Sequence, residues 1–82
     1  MSKEELLERI TIDPKVMVGK PVIKGTRLTV GYILGLMGSG AKVEEILDEY
    51  QGLKQEDIQA CLAFASKSIE NLEFMPLVEE IK

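Results

Sequence analysis

Between Gly19 and Arg27 the chain runs Gly-Lys-Pro-Val-Ile-Lys-Gly-Thr-Arg, residue types from which phosphate-holding loops are made. Glycine lets backbone come close to an anion, Lys and Arg supply positive charge, and Thr supplies a hydroxyl. The spacing is not that of a nucleotide-hydrolysing P-loop, which needs Gly-x-x-x-x-Gly-Lys followed by Ser or Thr. Two readings of the block stay open. Either Thr26 and Arg27 tie a structural turn to the helices by hydrogen bonds, or Lys20, Lys24 and Arg27 touch a phosphate backbone.

Composition removes most other chemistry. With no His, imidazole acid–base catalysis, Ser-His and Cys-His pairs and His-containing zinc sites are excluded. The single cysteine, Cys61, excludes an internal disulfide and any Cys-rich metal site. It falls on an apolar stripe and reads as a small core residue. Glu44, Glu45, Asp48 and Glu49 resemble paired carboxylates, but with no His or Cys beside them they read as a solvated helix face. The expectation is a protein that is not an enzyme and needs no cofactor, metal or small-molecule substrate. There is no Trp and there are two Tyr and two Phe, too few for an aromatic platform on which single-stranded bases stack.

The net charge of −4 is unfavourable for a nucleic-acid binder, but it is unevenly spread. Residues 14–43 carry Lys15, Lys20, Lys24, Arg27 and Lys42 with no acid, whereas residues 44–82 carry three Lys against ten acids. A basic segment inside an acidic chain is either mere surface fluctuation or a local anion-binding surface.

The elements that must position these residues are short. A chain of 82 residues is one domain near the small end of what folds alone, so a second subunit would help it. Apolar runs are brief and no secretory pattern opens the chain; the expected setting is cytoplasmic, away from membranes. Ser2 with Glu5 has capping-box form and starts a helical segment over 1–9. Ile10-Thr11-Ile12 alternates as a strand does, and Arg27-Leu28-Thr29 is its expected partner. Thr29 caps a helix through about Met37, with Val30, Ile33, Leu34 and Met37 inward. Gly31 and Gly35 within it are best explained by close approach of another backbone. A second helix runs from about Lys42 to Tyr50, and a third from about Gln55 to Glu73 with Ile58, Cys61, Leu62, Ala65 and Ile69 inward.

Helix, short turn with Leu53 at the corner, longer helix: this is the layout of a helix-turn-helix in a three-helix bundle. The expected fold is therefore mostly α, with a short β element and loop ahead of the bundle, and the domain spans 10–73. In such a module Lys54, Gln55 and Gln59 at the start of the third helix are placed for base-edge contact.

Three pieces stand in succession: Ile12-Asp13-Pro14; Gly19 to Leu28; and Glu44 to Tyr50 followed by Leu53 and Glu56-Asp57-Ile58. Together they closely resemble a family of small prokaryotic proteins known as domain of unknown function 433, over roughly residues 10–70. The resemblance implies a homeodomain-like helix-turn-helix fold. It also implies the role of antitoxin in toxin–antitoxin pairs whose toxin is a PIN-like ribonuclease. The chain departs from the family pattern at Met17-Val18 and Val22, and in having Ala41 or Lys42, and Lys54, where helix-capping Ser or Thr is common.

The expected function is thus an antitoxin-like regulator that binds duplex DNA as a homodimer. The alternative is a protein-interaction module that neutralises a basic partner without binding DNA. The tail over 74–82 carries Phe74, Met75, Leu77, Val78 and Ile81 among acids. It serves either as the partner-binding segment or as a cover for the chain's own dimer.

Overall fold

The structure is a computed structural model, and it describes residues 1–72. The partner-binding residues expected in the tail, Phe74, Met75, Leu77, Val78 and Ile81, lie outside the described residues. In chain order the elements are α1 (Lys3–Leu7), β1 (Ile10–Ile12), β2 (Pro21–Ile23), α2 (Val30–Gly38), α3 (Val43–Glu49) and α4 (Gln55–Glu70). Among the described residues the fold is mostly helical, with four α-helices and a small antiparallel sheet of two strands.

Local chemistry starts each helix. At α1 the box is reciprocal: the Glu5 N–H donates to Ser2 Oγ at 3.2 Å and the Ser2 N–H donates to Glu5 Oε1 at 2.8 Å. The Ser2 backbone N–H, and after it the Ser2 hydroxyl, holds the Glu5 carboxyl below its ordinary pKa. Thr29 caps α2 by accepting from the Tyr32 N–H at 3.0 Å. α3 and α4 have Lys42 and Lys54 at the N-cap, and an ammonium has no lone pair to offer. Each keeps only the returning half of the box: Glu45 Oε1 accepts from the Lys42 N–H at 2.7 Å, and Asp57 Oδ2 from the Lys54 N–H at 2.9 Å.

α2 stops in a Schellman turn. The Ala41 N–H reaches back to the Leu36 carbonyl and the Gly40 N–H to that of Met37, both at 3.0 Å. Gly40 takes φ +105°, open to it because it has no Cβ. The close backbone approach expected at Gly31 and Gly35 is not found. Within this chain a Cβ at either would meet nothing within 4 Å, so that packing is absent among the described residues.

The partner of β1 is not Arg27-Leu28-Thr29 but β2, in the register Ile10–Ile23, Thr11–Val22 and Ile12–Pro21. Thr26 decides this. Its hydroxyl donates to the Ile23 carbonyl at 2.8 Å and accepts from the Leu28 N–H at 2.9 Å, turning the chain sharply after β2. Leu28 and Thr29 then return along the other edge of β2: the Ile23 N–H donates to the Leu28 carbonyl at 3.0 Å, and Val22 bridges Thr29. Val22 and Ile23, at the centre, are almost fully buried.

Ile23, Val30, Ile33, Ile46, Leu53, Ile58 and Cys61 form the core. Leu53 sits in the corner between α3 and α4, as its position in the turn demands. α4 is rotated from the expected face. Asp57, Ile58, Ala60 and Cys61 are inward, whereas Leu62 is 47% and Ile69 66% exposed. The cause is α1, which packs along α4 and draws the Ala60 and Phe64 side under cover. α4 also ends earlier than expected, at Glu70, with Asn71 as its C-cap.

Candidate nucleic-acid interface

The Gly19–Arg27 block is shaped by backbone before side chains. Met17, Val18 and Gly19 all take positive φ, at 50°, 57° and 78°. This left-handed run reverses the chain after Asp13-Pro14 and launches β2, leaving Val18 91% exposed. Lys20 emerges just before β2 and Arg27 just after the Thr26 turn. The two cations line one groove of about 310 Å³ with Met17, Leu28, Thr29 and Tyr32, beside the first turn of α2. Of the two open readings of the block, Thr26 takes the structural part. Arg27 stays exposed, and among the described residues neither it nor Lys20 is ion-paired.

Lys24 lies elsewhere. It lines a separate groove of about 460 Å³ with Met1, Glu5, Glu8, Arg9 and Asp57, where three carboxylates surround the Lys24 and Arg9 side chains. The reason is the sheet: the Lys24 N–H donates to the Arg9 carbonyl at 2.8 Å, which sets Lys24 beside α1.

Lys54, Gln55 and Gln59 are all exposed on the first turns of α4. Gln55 and Gln59 are one turn apart and share a face. The neighbouring Asp57 points inward. Its Oδ1 accepts from Arg9 Nη1 at 2.9 Å while Oδ2 holds the Lys54 N–H, and its side chain is only 9% exposed. Sequence reasoning misses Arg9, because a lone Arg after an acidic helix carries no signal of its partner 48 residues away.

Tyr32 and Tyr50 are missed in the same way. Their rings meet edge to face at 86° with centroids 6.2 Å apart, and their hydroxyls share a 2.6 Å hydrogen bond. That bond, then partial burial, pushes the Tyr50 phenol up to about 12. Burial, reinforced by the Asp57 charge, pushes the Cys61 thiol up to about 11, so it stays neutral and inert in the core. Among the described residues no cluster of three or more His, Cys, Asp or Glu is placed to hold a metal ion, and no helix is long and apolar enough to cross a membrane.

Comparison with known proteins agrees with this architecture. An uncharacterized protein of Archaeoglobus fulgidus is 71% identical over 24 residues, which is 29% of this chain and 67% of that protein. The crystal structure of a DUF433 member protein from Anabaena variabilis superposes with a TM-score of 0.74 at 31% identity, over 82% of this chain. The chain spans 66% of the length of that solved chain. The family model described as "Protein of unknown function (DUF433)" matches residues 10–65, more than half of the sequence, and the chain belongs to that family.

Proposed function

We propose that this chain is an antitoxin-like regulator that binds duplex DNA as a homodimer, with α3, the turn and α4 acting as a homeodomain-like helix-turn-helix. One observation carries the reading. The start of α4 exposes Lys54, Gln55 and Gln59 together, while of the two acids in its first turn Asp57 is turned inward and paired with Arg9, leaving only the half-exposed Glu56 to oppose phosphate. A Gln side chain can bond bidentately to an adenine edge, and Lys54 meets phosphate or a guanine edge. Lys20 and Arg27, sharing one groove, supply backbone contact that fixes register without reading sequence. Lys24, in its separate groove among carboxylates, contributes less.

A net charge of −4 requires binding to depend on these local cations rather than on the whole molecule. Dimerisation is supported by apolar side chains left exposed among the described residues on and just after α4, Leu62, Ile69 and Leu72. A two-fold pair of modules reads two half-sites. The toxin-neutralising role, with a PIN-like ribonuclease as partner, rests on the family resemblance.

Fluorescence polarisation with labelled duplex DNA, at about 50 and 200 mM salt, tests the reading. Binding should be measurable at low salt and fall steeply at high salt. Absence of binding at low salt, or a 9.1 kDa species at micromolar concentration in sedimentation equilibrium, would overturn the DNA-binding dimer.

A further inference from the structure

A third groove lies between α2 and α3, sharing only Tyr32 with the Lys20–Arg27 groove and nothing with the groove of Lys24. Its lining is apolar at Leu36, Ala41 and Ile46 and aromatic at Tyr32 and Tyr50. Glu45 and Glu49, one helical turn apart on α3, stand at its rim, and none of the lining residues is a Lys or Arg. The volume of about 170 Å³ is small beside the roughly 300 Å³ at which sites for whole small molecules begin. It suits one side chain.

We propose that this groove receives an arginine side chain of a partner polypeptide. Each part of the groove matches one part of that side chain. The aliphatic stem lies on Leu36, Ala41 and Ile46. The guanidinium stacks on a tyrosine face, whose quadrupole is negative, and forks to the carboxylates of Glu45 and Glu49. The hydroxyl bond between Tyr32 and Tyr50 fixes the rings before the ligand arrives, so little order has to be gained on binding. Arginine is favoured over lysine because its planar, weakly hydrated head both stacks and forks. Charge complementarity selects a basic protein segment: Glu44 and Asp48, also exposed on α3, add to the negative charge of the same helix. The site stands independently of DNA binding.

The chain has two tyrosines and no tryptophan; both line this groove, and Tyr32 also borders the Lys20–Arg27 groove, so intrinsic fluorescence is assigned to this site by the loss of signal in the variant E45Q/E49Q. The full chain is titrated with a capped Gly-Arg-Gly tripeptide and with its citrulline and lysine counterparts. Citrulline keeps the shape of arginine and removes the charge. The arginine peptide should give a saturable change with a dissociation constant on the order of 1 mM. The citrulline peptide should bind at least about tenfold more weakly, and the lysine peptide should fall between. The double variant E45Q/E49Q should lose about tenfold for the arginine peptide. Its new amide oxygen at position 45 can still accept from the Lys42 N–H, so α3 keeps its cap. Equal binding of the arginine and citrulline peptides to the native chain would overturn the proposal whatever the variant does. A lysine peptide that matches arginine would overturn the assignment to guanidinium.

Discussion

Arg9 and Asp57 meet at 2.9 Å across 48 residues of sequence, and the same carboxylate also caps the helix it belongs to. One side chain thereby fixes where α4 begins and where α1 and β1 are anchored. Truncating either partner has unequal effects. Asp57→Ala removes the cap and the ion pair together and should cost about 3 kcal/mol; Arg9→Met, which leaves a nearly buried carboxylate unpaired, about 2 kcal/mol. Urea unfolding at constant slope is the measurement, and a loss under about 0.5 kcal/mol for both would show the pair to be incidental.

Val18 holds a left-handed conformation, φ 57° and ψ 37°, with its branched side chain almost wholly in solvent. Nothing is gained from the side chain and the backbone is strained. Val18→Gly should therefore raise stability by about 1 kcal/mol. Gly19→Ala should lower it by about the same amount. A Cβ at Gly19 would sit 3.8 Å from Pro14 Cα, an ordinary contact, so the φ of +78° and not crowding is the cause. A Val18→Gly chain that melts below the parent would contradict this account of the turn.

The Tyr32–Tyr50 bond makes the fold sensitive to alkali. Because the folded pKa of Tyr50 is raised, from 10.0 to about 12, the stabilisation is whole below about pH 10 and is lost as pH rises through about 12. Tyrosinate absorbance should show Tyr50 ionising late. Tyr32→Phe removes the largest cause and should bring Tyr50 back toward its ordinary value; a late step persisting in that variant would rule out the hydroxyl bond as the cause.

Cys61 should be silent to thiol reagents in the native state. Its side chain is fully buried and its thiol is pushed up to about 11, first by burial and then by the charge of Asp57. Labelling should occur only through opening of the core, at a rate that rises with urea as global unfolding does. Fast labelling in the absence of denaturant would mean that α4 does not pack as described.

The basic residues should separate in a DNA titration. Lys20→Ala and Arg27→Ala should each reduce the salt slope by about 1. Lys24→Ala should reduce it less, since Glu5, Glu8 and Asp57 line the same groove. Equal effects of all three would place Lys24 on the same surface as the other two.

What can be read from the sequence is what local chemistry decides. Ser2 with Glu5 and Thr29 before α2 announce helix starts because a cap needs only its own next turn. Strand pairing is not local. Both Val22-Ile23 and Leu28-Thr29 suit a strand, and the choice turns on the hydroxyl of Thr26, which closes the turn between them. On α4 two apolar faces overlap in period, and α1 selects the one with Ala60 and Phe64. The candidate site is legible in residue type but not in grouping. Lys20 and Arg27 share a groove because a turn returns the chain, Lys24 is carried into a separate groove by its backbone bond to Arg9, and Tyr32 meets Tyr50 only through the tertiary fold.

β2 is occupied on both edges, by β1 on one side and by the returning Leu28-Thr29 segment on the other. Among the described residues the outer side of β1 is thus the open edge of the sheet. It is three residues long, and Asp13-Pro14 terminates it. So short an edge is a poor template for adding foreign strands. Despite Ile12 being 58% exposed there, the sheet of the described residues has little means of growing by extension.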